Sequence, residues 1–245
     1  MQITLSPEMK HACIGAGLAA LVIGSWTALH LAALFWWPVG GIALLAIPLL
    51  TWLSVGLFII SHDAMHGTLV PGAPRLNRVI GATAAALYAN FSYRNLHASH
   101  MRHHMAPGTG DDPDFHAGAP TRFWPWYLAF LHRYFGWREL ALMALRVAFY
   151  FVLGAALPNI LIYFALPAIL SSLQLFYFGT YRPHRHEDMD FRDHHRARSA
   201  PYPVWLSLIT CFHFGYHHEH HLSPGTPWWR LPAFHRAHKE GHIPR

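Results

Sequence analysis

The sequence predicts an all-α integral membrane protein, with four transmembrane helices arranged as two hairpins and a cytoplasmic, histidine-rich helical cap. Three observations support this: a low charge content, two long uncharged segments, and the confinement of charge to the rest of the chain. Hydrophobic residues make up 53% of the 245 residues, whereas Asp, Glu, Lys and Arg together make up 12%. Soluble domains carry roughly 25% charged residues. The composition therefore excludes an ordinary soluble enzyme and a disordered chain.

The first uncharged segment runs for 52 residues, from His11 to His62. A transmembrane helix needs about 20 residues, so this length suits two crossings. Paired tryptophans, a proline and two glycines at 36–41 supply interface anchors and a turn. We expect one helix over 12–36 and a second over 39–61. The apolar stretch is far longer than the core of a cleaved signal peptide, so the first helix is predicted to be retained.

The second uncharged segment covers 35 residues, from Val147 to Tyr181. Glu139 to Arg146 is predicted to begin its first helix, and Leu157 to Asn159 to form its turn. Two shorter apolar stretches, Val79–Tyr93 and Val204–Phe214, predict re-entrant, interfacial or buried helices.

All 18 Lys and Arg residues lie outside the two uncharged segments. Each hairpin returns the chain to the side it left, so the N-terminus, the 62–138 segment and the 182–245 tail are predicted to share one face. The positive-inside rule makes that face cytoplasmic, which for a bacterial protein means the inner membrane. The net charge of +6 then reflects topology and attraction for anionic headgroups. It does not indicate nucleic-acid binding, because no basic cluster is interleaved with polar recognition residues.

Three histidine clusters stand out among the 22 histidines. The first has the spacing H-x-x-x-H, and the other two have the spacing H-x-x-H-H, which places their members on one side of a helix. Their eight members are His62, His66, His100, His103, His104, His217, His220 and His221. The predicted topology brings all three clusters to the same membrane face, so we expect them to form one site.

Neutral imidazole is a ligand for Zn, Fe, Cu and Ni. Since a tetrahedral zinc takes at most four ligands, eight histidines suffice for two metals with positions left open. Scarce carboxylates and thiolates argue against Mg, Ca and iron–sulfur clusters, and ligand type alone does not choose iron over zinc. The spacing favours His217 over His218 as the ligand. Structural roles are predicted for the isolated histidines, which are His11, His30, His132, His235, His238 and His242.

The three histidine boxes resemble those of the membrane-bound fatty-acid desaturase and hydroxylase superfamily. Longer strings resemble the bacterial carotenoid ketolases, from about Ser61 to Pro232. These strings are HDAMHG at 62–67, DDPDF at 111–115, FGTYRPHR at 178–185, LITCFHFG at 208–215, YHHEHHL at 216–222 and PWWRLP at 227–232. The second box, SHMRHHMAPGTGDDPDF, departs slightly from the family form, but not at its histidines.

The resemblance implies a single desaturase-like domain over residues 1–245, with two iron ions held by the eight box histidines and by His184 as a ninth ligand. Acidic residues beside the ligands are candidates to orient their ring N–H groups, with helix capping or a solvated loop as the alternative role. These candidates are Asp63, Asp112, Asp114 and Glu219, and His195 is a further one. His186 and His194 are expected to lie in a polar loop.

The implied reaction is O2-dependent oxidation of the C4 methylene of a β-ionone ring to a ketone, through two successive hydroxylations. It would convert β-carotene to echinenone and canthaxanthin, and zeaxanthin to astaxanthin. The carotenoid would enter from the bilayer. With no G-x-G-x-x-G motif for a nicotinamide or flavin, electrons are expected from a separate ferredoxin-type donor at the basic face.

Two alternatives stay open from the sequence. A carotenoid ring hydroxylase or a lipid desaturase would use the same boxes. A histidine-rich metal transporter would carry ionisable residues within its spans, where His30 is the only candidate. The oligomeric state is left open.

Overall fold

The computed structural model describes residues 6–187 and 190–241, and those residues form helices and loops without strands. The helices are α1 (Pro7–Phe35), α2 (Ala43–Met65), α3 (Pro74–Ala89), α4 (Tyr93–Met105), α5 (Phe123–Tyr134), α6 (Trp137–Val152), α7 (Leu157–His184), α8 (Val204–Cys211), α9 (His217–Leu222) and α10 (Leu231–Lys239). A 3-10 turn, Trp228–Arg230, precedes α10. The chain divides into two compact units, residues 1–93 with 145–168, and residues 94–144 with 169–245.

Three of these helices, α1, α2 and α7, are long and apolar enough to cross a membrane, at 29, 23 and 28 residues. The two predicted helices of the first hairpin are confirmed as helices, with shifted ends. The Ser6 hydroxyl accepts a hydrogen bond from the Met9 amide, so α1 begins at Pro7 rather than at residue 12. Helix α2 starts at Ala43 and continues to Met65, which places His62 of the first histidine box on the helix itself.

The predicted turn at Leu157–Asn159 is wrong. Helix α6 ends at Val152, and Gly154 adopts a left-handed φ of 91° in the true break. Pro158 lies in the first turn of α7, where a missing N–H costs nothing. Helix α6 has 16 residues, fewer than the about 20 that a crossing requires, so the fourth span stays a prediction.

Asn159 connects the first turn of α7 to the end of α1. Its side-chain amide donates to the carbonyls of Ala33 and Trp37, at 2.8 Å each, at the C-terminal end of α1. Terminal carbonyls of a helix have no partner within the helix. A membrane offers them no water, so an internal donor is needed.

Inside the first unit, a few polar pairs lie among apolar helices. The Trp26 indole donates to the Ser54 hydroxyl at 2.9 Å, and buried His30 is hydrogen-bonded to the Tyr150 hydroxyl at 2.9 Å. The His30 ring also stacks on Trp26, with centroids 4.4 Å apart. His30 therefore fills a packing and hydrogen-bonding role.

A close approach of α3 to the end of α2 positions the first histidine box. A Cβ atom at Gly81 would lie 2.8 Å from the Ala64 Cβ and 2.4 Å from the Tyr93 ring. No residue with a side chain fits there without a shift of its neighbours. The two short apolar stretches predicted to be helical are confirmed as α3 and α8.

The second unit has an aromatic core between α5 and the C-terminal part of α7. Trp126, Tyr127, Phe176 and Tyr181 are buried together there. The Trp126 indole donates to the Asp114 carbonyl at 2.7 Å. This bond connects the core to the loop after α4, which carries acidic residues next to the second histidine box.

Candidate metal centre

The first histidine box, in the first unit, places two imidazoles side by side at the end of α2. The ring centroids of His62 and His66 are 4.8 Å apart. His62 Nδ1 lies 3.2 Å from Asp63 Oδ1, and both are buried. Asp63 is one of the predicted orienting residues, and this contact directs the Nε2 atom of His62 away from it.

The second unit contains a four-histidine cluster, made of His103, His184, His217 and His221. All four residues are buried, and one ring nitrogen of each lies within 4.8 Å of the others. His184 Nε2 is 2.9 Å from His217 Nε2, and His217 Nε2 is 3.1 Å from His221 Nε2. His103 Nε2 is 3.2 Å from His221 Nε2. Helices α4, α7 and α9 each contribute, so the cluster forms only in the folded unit.

The outer ring nitrogens of two members are held by acceptors. His184 Nδ1 donates to the Arg196 carbonyl at 2.8 Å, and His103 Nδ1 lies 3.0 Å from both carboxylate oxygens of Asp112. A neutral imidazole with its proton on Nδ1 has only an acceptor at Nε2. The Nε2 atoms of His103 and His184 therefore face the cluster as acceptors, an arrangement that a cation within the cluster would stabilise.

The distances also fit a metal ion. An imidazole–metal bond of about 2.1 Å puts neighbouring ligand nitrogens about 3.0 to 3.4 Å apart in octahedral or tetrahedral geometry. The observed separations of 3.1 and 3.2 Å lie in that range, and the third, 2.9 Å, lies just below it. Burial, together with nearby histidines, lowers the pKa of His221 well below its usual value, which favours the neutral form that binds metal.

Two backbone amides hold the Asp112 carboxylate in place. It accepts from the Gly108 amide at 2.7 Å and from the Asp114 amide at 2.8 Å. Burial raises the pKa of Asp112, but the hydrogen bonds from His103 and from the two amides outweigh burial and leave the pKa lowered. Asp114, in contrast, accepts from the Tyr134 hydroxyl, and one of its oxygens is 3.9 Å from His103 Nδ1. Burial raises the pKa of Asp114.

A three-histidine cluster lies beside the first cluster in the same unit. His104 Nε2 is 3.1 Å from His100 Nε2 and 3.0 Å from His220 Nε2. The two clusters adjoin, because the ring centroids of His104 and His221 are 4.4 Å apart. Seven of the nine predicted ligands, including His184, thus meet in one unit.

Three other residues that the sequence analysis considered, His218, His195 and Glu219, are not members of either cluster. His218 Nε2 is 2.8 Å from Asp193 Oδ2, away from the clusters, in line with the preference for His217. The His195 ring centroid is 6.1 Å from that of His221, and its amide donates to Asp193. Glu219 orients no ligand ring; it accepts a hydrogen bond from His235 at 2.7 Å.

Sequence reasoning did not predict the contacts of three polar residues next to the site. His235 was given a structural role as an isolated histidine, and Ser199 and Tyr134 were not singled out. Each contacts a carboxylate 16 to 20 positions away in the chain, because His235 and Ser199 contact Glu219 and Tyr134 contacts Asp114. No helical spacing connects such pairs, so the sequence carries no periodic signal for them.

The chain is similar to known proteins over most of its length. The sequence model of the fatty acid desaturase family matches residues 34–145 and 132–242. A beta-carotene ketolase of Paracoccus sp. (strain N81106 / MBIC 01143) is 50% identical over 216 residues, covering 86% of this chain and 88% of the relative. A beta-carotene ketolase of Paracoccus sp. (strain PC1) is 49% identical over 232 residues, covering 93% of each. A zeaxanthin 4-ketolase of Chlamydomonas reinhardtii is 40% identical over 190 residues, covering 75% of this chain and 42% of the relative.

Proposed function

This chain belongs to the fatty acid desaturase family, and from that premise we propose that it is a carotenoid ketolase of the membrane. The reaction is oxidation of the C4 methylene of a β-ionone ring to a ketone, which converts β-carotene to echinenone and then canthaxanthin. The observation that carries the proposal is the pair of adjoining histidine clusters, in a chain about half identical to two beta-carotene ketolases over most of its length.

We propose iron as the metal, with one ion in the four-histidine cluster and a second in the three-histidine cluster. His62 and His66 are proposed as further iron ligands, as the family resemblance implies. When bound, the metals supply the redox chemistry that activates O2, which zinc does not provide. Iron, O2 and an external reductant are together what the overall oxidation requires.

The protein's own residues fix the imidazoles. Asp112 holds the proton of His103 on Nδ1, and the Arg196 carbonyl does the same for His184. Arg196 adopts a left-handed φ of 43°, an unusual conformation for a residue with a side chain. That conformation presents its carbonyl to the ligand, which gives the local strain a role.

The chemistry at the substrate proceeds in two rounds at one carbon. Each round consumes one O2, two electrons from the external donor and two protons, and it installs one hydroxyl while the second oxygen atom leaves as water. The second round gives a gem-diol, which loses water to leave the ketone. The pocket must therefore accept a ring that already carries a hydroxyl, which an apolar pocket rejects only by about 100-fold.

The similarity to a zeaxanthin 4-ketolase favours a second substrate. A ring hydroxylated at C3 differs from the first-round product only in the position of one hydroxyl. We therefore propose that zeaxanthin is also accepted and gives astaxanthin.

We further propose that electrons come from a separate ferredoxin-type donor. The second unit is rich in exposed arginines, such as Arg94, Arg102, Arg122 and Arg133, which suit an acidic partner. We propose that these arginines and both termini lie on the cytoplasmic side of the bacterial inner membrane. A reporter fused at Gly154, in the break before α7, should then read periplasmic, and a cytoplasmic reading would contradict the sidedness.

Expression in a β-carotene-producing bacterium tests the function directly. Pigment extracts should contain echinenone and canthaxanthin by liquid chromatography and mass spectrometry, and a zeaxanthin-producing host should yield astaxanthin. The control is the same chain with His103→Ala. Unchanged pigment from a host that holds the wild-type protein in its membrane would contradict the proposal.

A further inference from the structure

Helix α9 is the shortest helix described here that carries proposed ligands. It has six residues, three of which are the ligands His217, His220 and His221. A helix of that length is not stable in isolation, and its N-cap residue, Tyr216, makes no side-chain capping bond. The position of the ligands must therefore depend on contacts from other parts of the unit.

Those contacts converge on Glu219, whose side chain engages partners that are not ligands. Glu219 Oε1 accepts a hydrogen bond from His235 Nδ1 at 2.7 Å, and Oε2 accepts from the Ser199 hydroxyl. Ser199 Oγ in turn accepts from the His218 amide at 3.1 Å. This amide is in the first turn of α9, where no partner exists within the helix. Ser199 thus replaces the missing local cap.

The ring of His235, on α10, is held in one orientation. It stacks on Tyr216, with centroids 4.2 Å apart and planes at 17°. The Tyr216 hydroxyl donates to the Tyr202 carbonyl at 2.9 Å, which anchors the stack. With only 8% of His235 and 3% of Glu219 exposed, water competes weakly for their hydrogen bond.

A metal site is the other role this region suggests, because His218, Glu219 and His238 have ligand atoms within 4.8 Å of one another. The hydrogen bonds argue against it. Both carboxylate oxygens of Glu219 already accept hydrogen bonds, and His218 Nε2 is paired with Asp193 at 2.8 Å. These contacts therefore indicate that Glu219 holds helix α9 in place and does not bind a cation.

We infer that His235 is a positioning residue for the metal centre, acting through Glu219 to hold α9 so that its three ligands reach the two clusters. This inference rests on the proposed function, since it concerns ligands of the proposed iron ions. Under this inference, α10 helps the protein to retain its metal ions, although no proposed ligand lies on α10.

The test measures how fast iron leaves the purified protein when a chelator is added, by mass spectrometry of iron per protein. His235→Phe keeps a stacking ring and removes the donor, and we expect iron to leave about 10- to 100-fold faster, as when other residues that support a ligand are changed. His235→Asn places an amide donor near the position of Nδ1, so it should restore slow release. Glu219→Ala removes the acceptor of the same hydrogen bond. It replaces His235→Phe in the test if that variant does not yield monodisperse protein.

The double variant His235→Phe/Glu219→Ala sharpens the test. If the two residues act through one contact, it should release iron no faster than the faster single variant. His132→Phe, at an exposed position on α5, is the matched control and should release iron like the wild type.

The outcomes separate the inference from the function on which it rests. A wild-type protein that binds no iron overturns the proposed function and the inference with it. An iron-loaded wild type with unchanged release from His235→Phe, equally fast release from His235→Asn, or multiplicative effects in the double variant overturns the inference alone.

Discussion

The four-histidine cluster and the three-histidine cluster share helices α4 and α9, and only the four-histidine cluster also takes a residue, His184, from α7. The two clusters differ in burial and in support. All four members of the first are buried, whereas His100 and His104 of the second are half-buried. In the four-histidine cluster, Asp112 and the Arg196 carbonyl hold outer ring nitrogens. The comparison indicates that the four-histidine cluster is an enclosed metal position with hydrogen-bonded ligands, and that the three-histidine cluster is a more open one.

The division between the clusters follows the helix period rather than the histidine boxes. In the second box, His100 and His104 lie together in one cluster, and His103 lies in the other. Positions i+3 and i+4 point about 100° apart on a helix. An H-x-x-H-H box therefore serves two sites, with its i and i+4 members at one and its i+3 member at the other.

The third box repeats the pattern with the clusters exchanged. His217 and His221 lie in the four-histidine cluster, and His220 lies in the three-histidine cluster. The sequence predicted that the boxes would converge, and for the second and third boxes this is what the second unit shows. It did not predict that each box divides between two sites, because that depends on how α4 and α9 face each other.

The largest expected effect comes from removing a ligand of the enclosed cluster. His103→Ala should reduce ketone formation below detection and lower iron content, because it deletes a ligand and leaves the buried Asp112 carboxylate without its ring partner. Pigment analysis and iron per protein are the measurements. His194→Ala, at an exposed loop position, is the control, and full ketolase activity of the His103 variant would refute the ligand assignment.

Support of the enclosed cluster should matter less than its ligands. Asp112→Asn keeps the shape but replaces the carboxylate that accepts from His103 and two amides. We expect a 10- to 100-fold loss of ketolase activity or iron affinity. Asp111→Asn changes an exposed neighbour and should be close to wild type. Equal behaviour of the two variants would show that Asp112 does not orient the ligand.

Chain periodicity predicted much of the fold and the site, and long-range contacts account for what it missed. Uncharged length predicted α1 and α2, but the turn residues Leu157–Asn159 were misread, since Pro158 is as suitable for a helix start as for a turn. The contacts of Asn159 with the carbonyls of Ala33 and Trp37 are long-range and could not be predicted from local sequence. The sequence predicted a structural role for His235 but could not predict its partner, because Glu219 lies on another helix.

The smallest expected effect concerns the order in which metal leaves. If burial governs access, a chelator should remove iron from the iron-loaded wild type in two phases of equal amplitude, the faster one from the three-histidine cluster with its half-buried His100 and His104. The Asp112→Asn variant checks which phase belongs to which cluster. Among the proposed ligands, the Asp112 carboxylate contacts His103 of the four-histidine cluster, so the variant should accelerate the slow phase and leave the fast phase unchanged. Both ions are reached by the same chelator, so a difference in rate reports on the protein around each ion. A single phase, or acceleration of the fast phase by Asp112→Asn, would mean that the two positions do not differ in the way their burial and hydrogen bonds indicate.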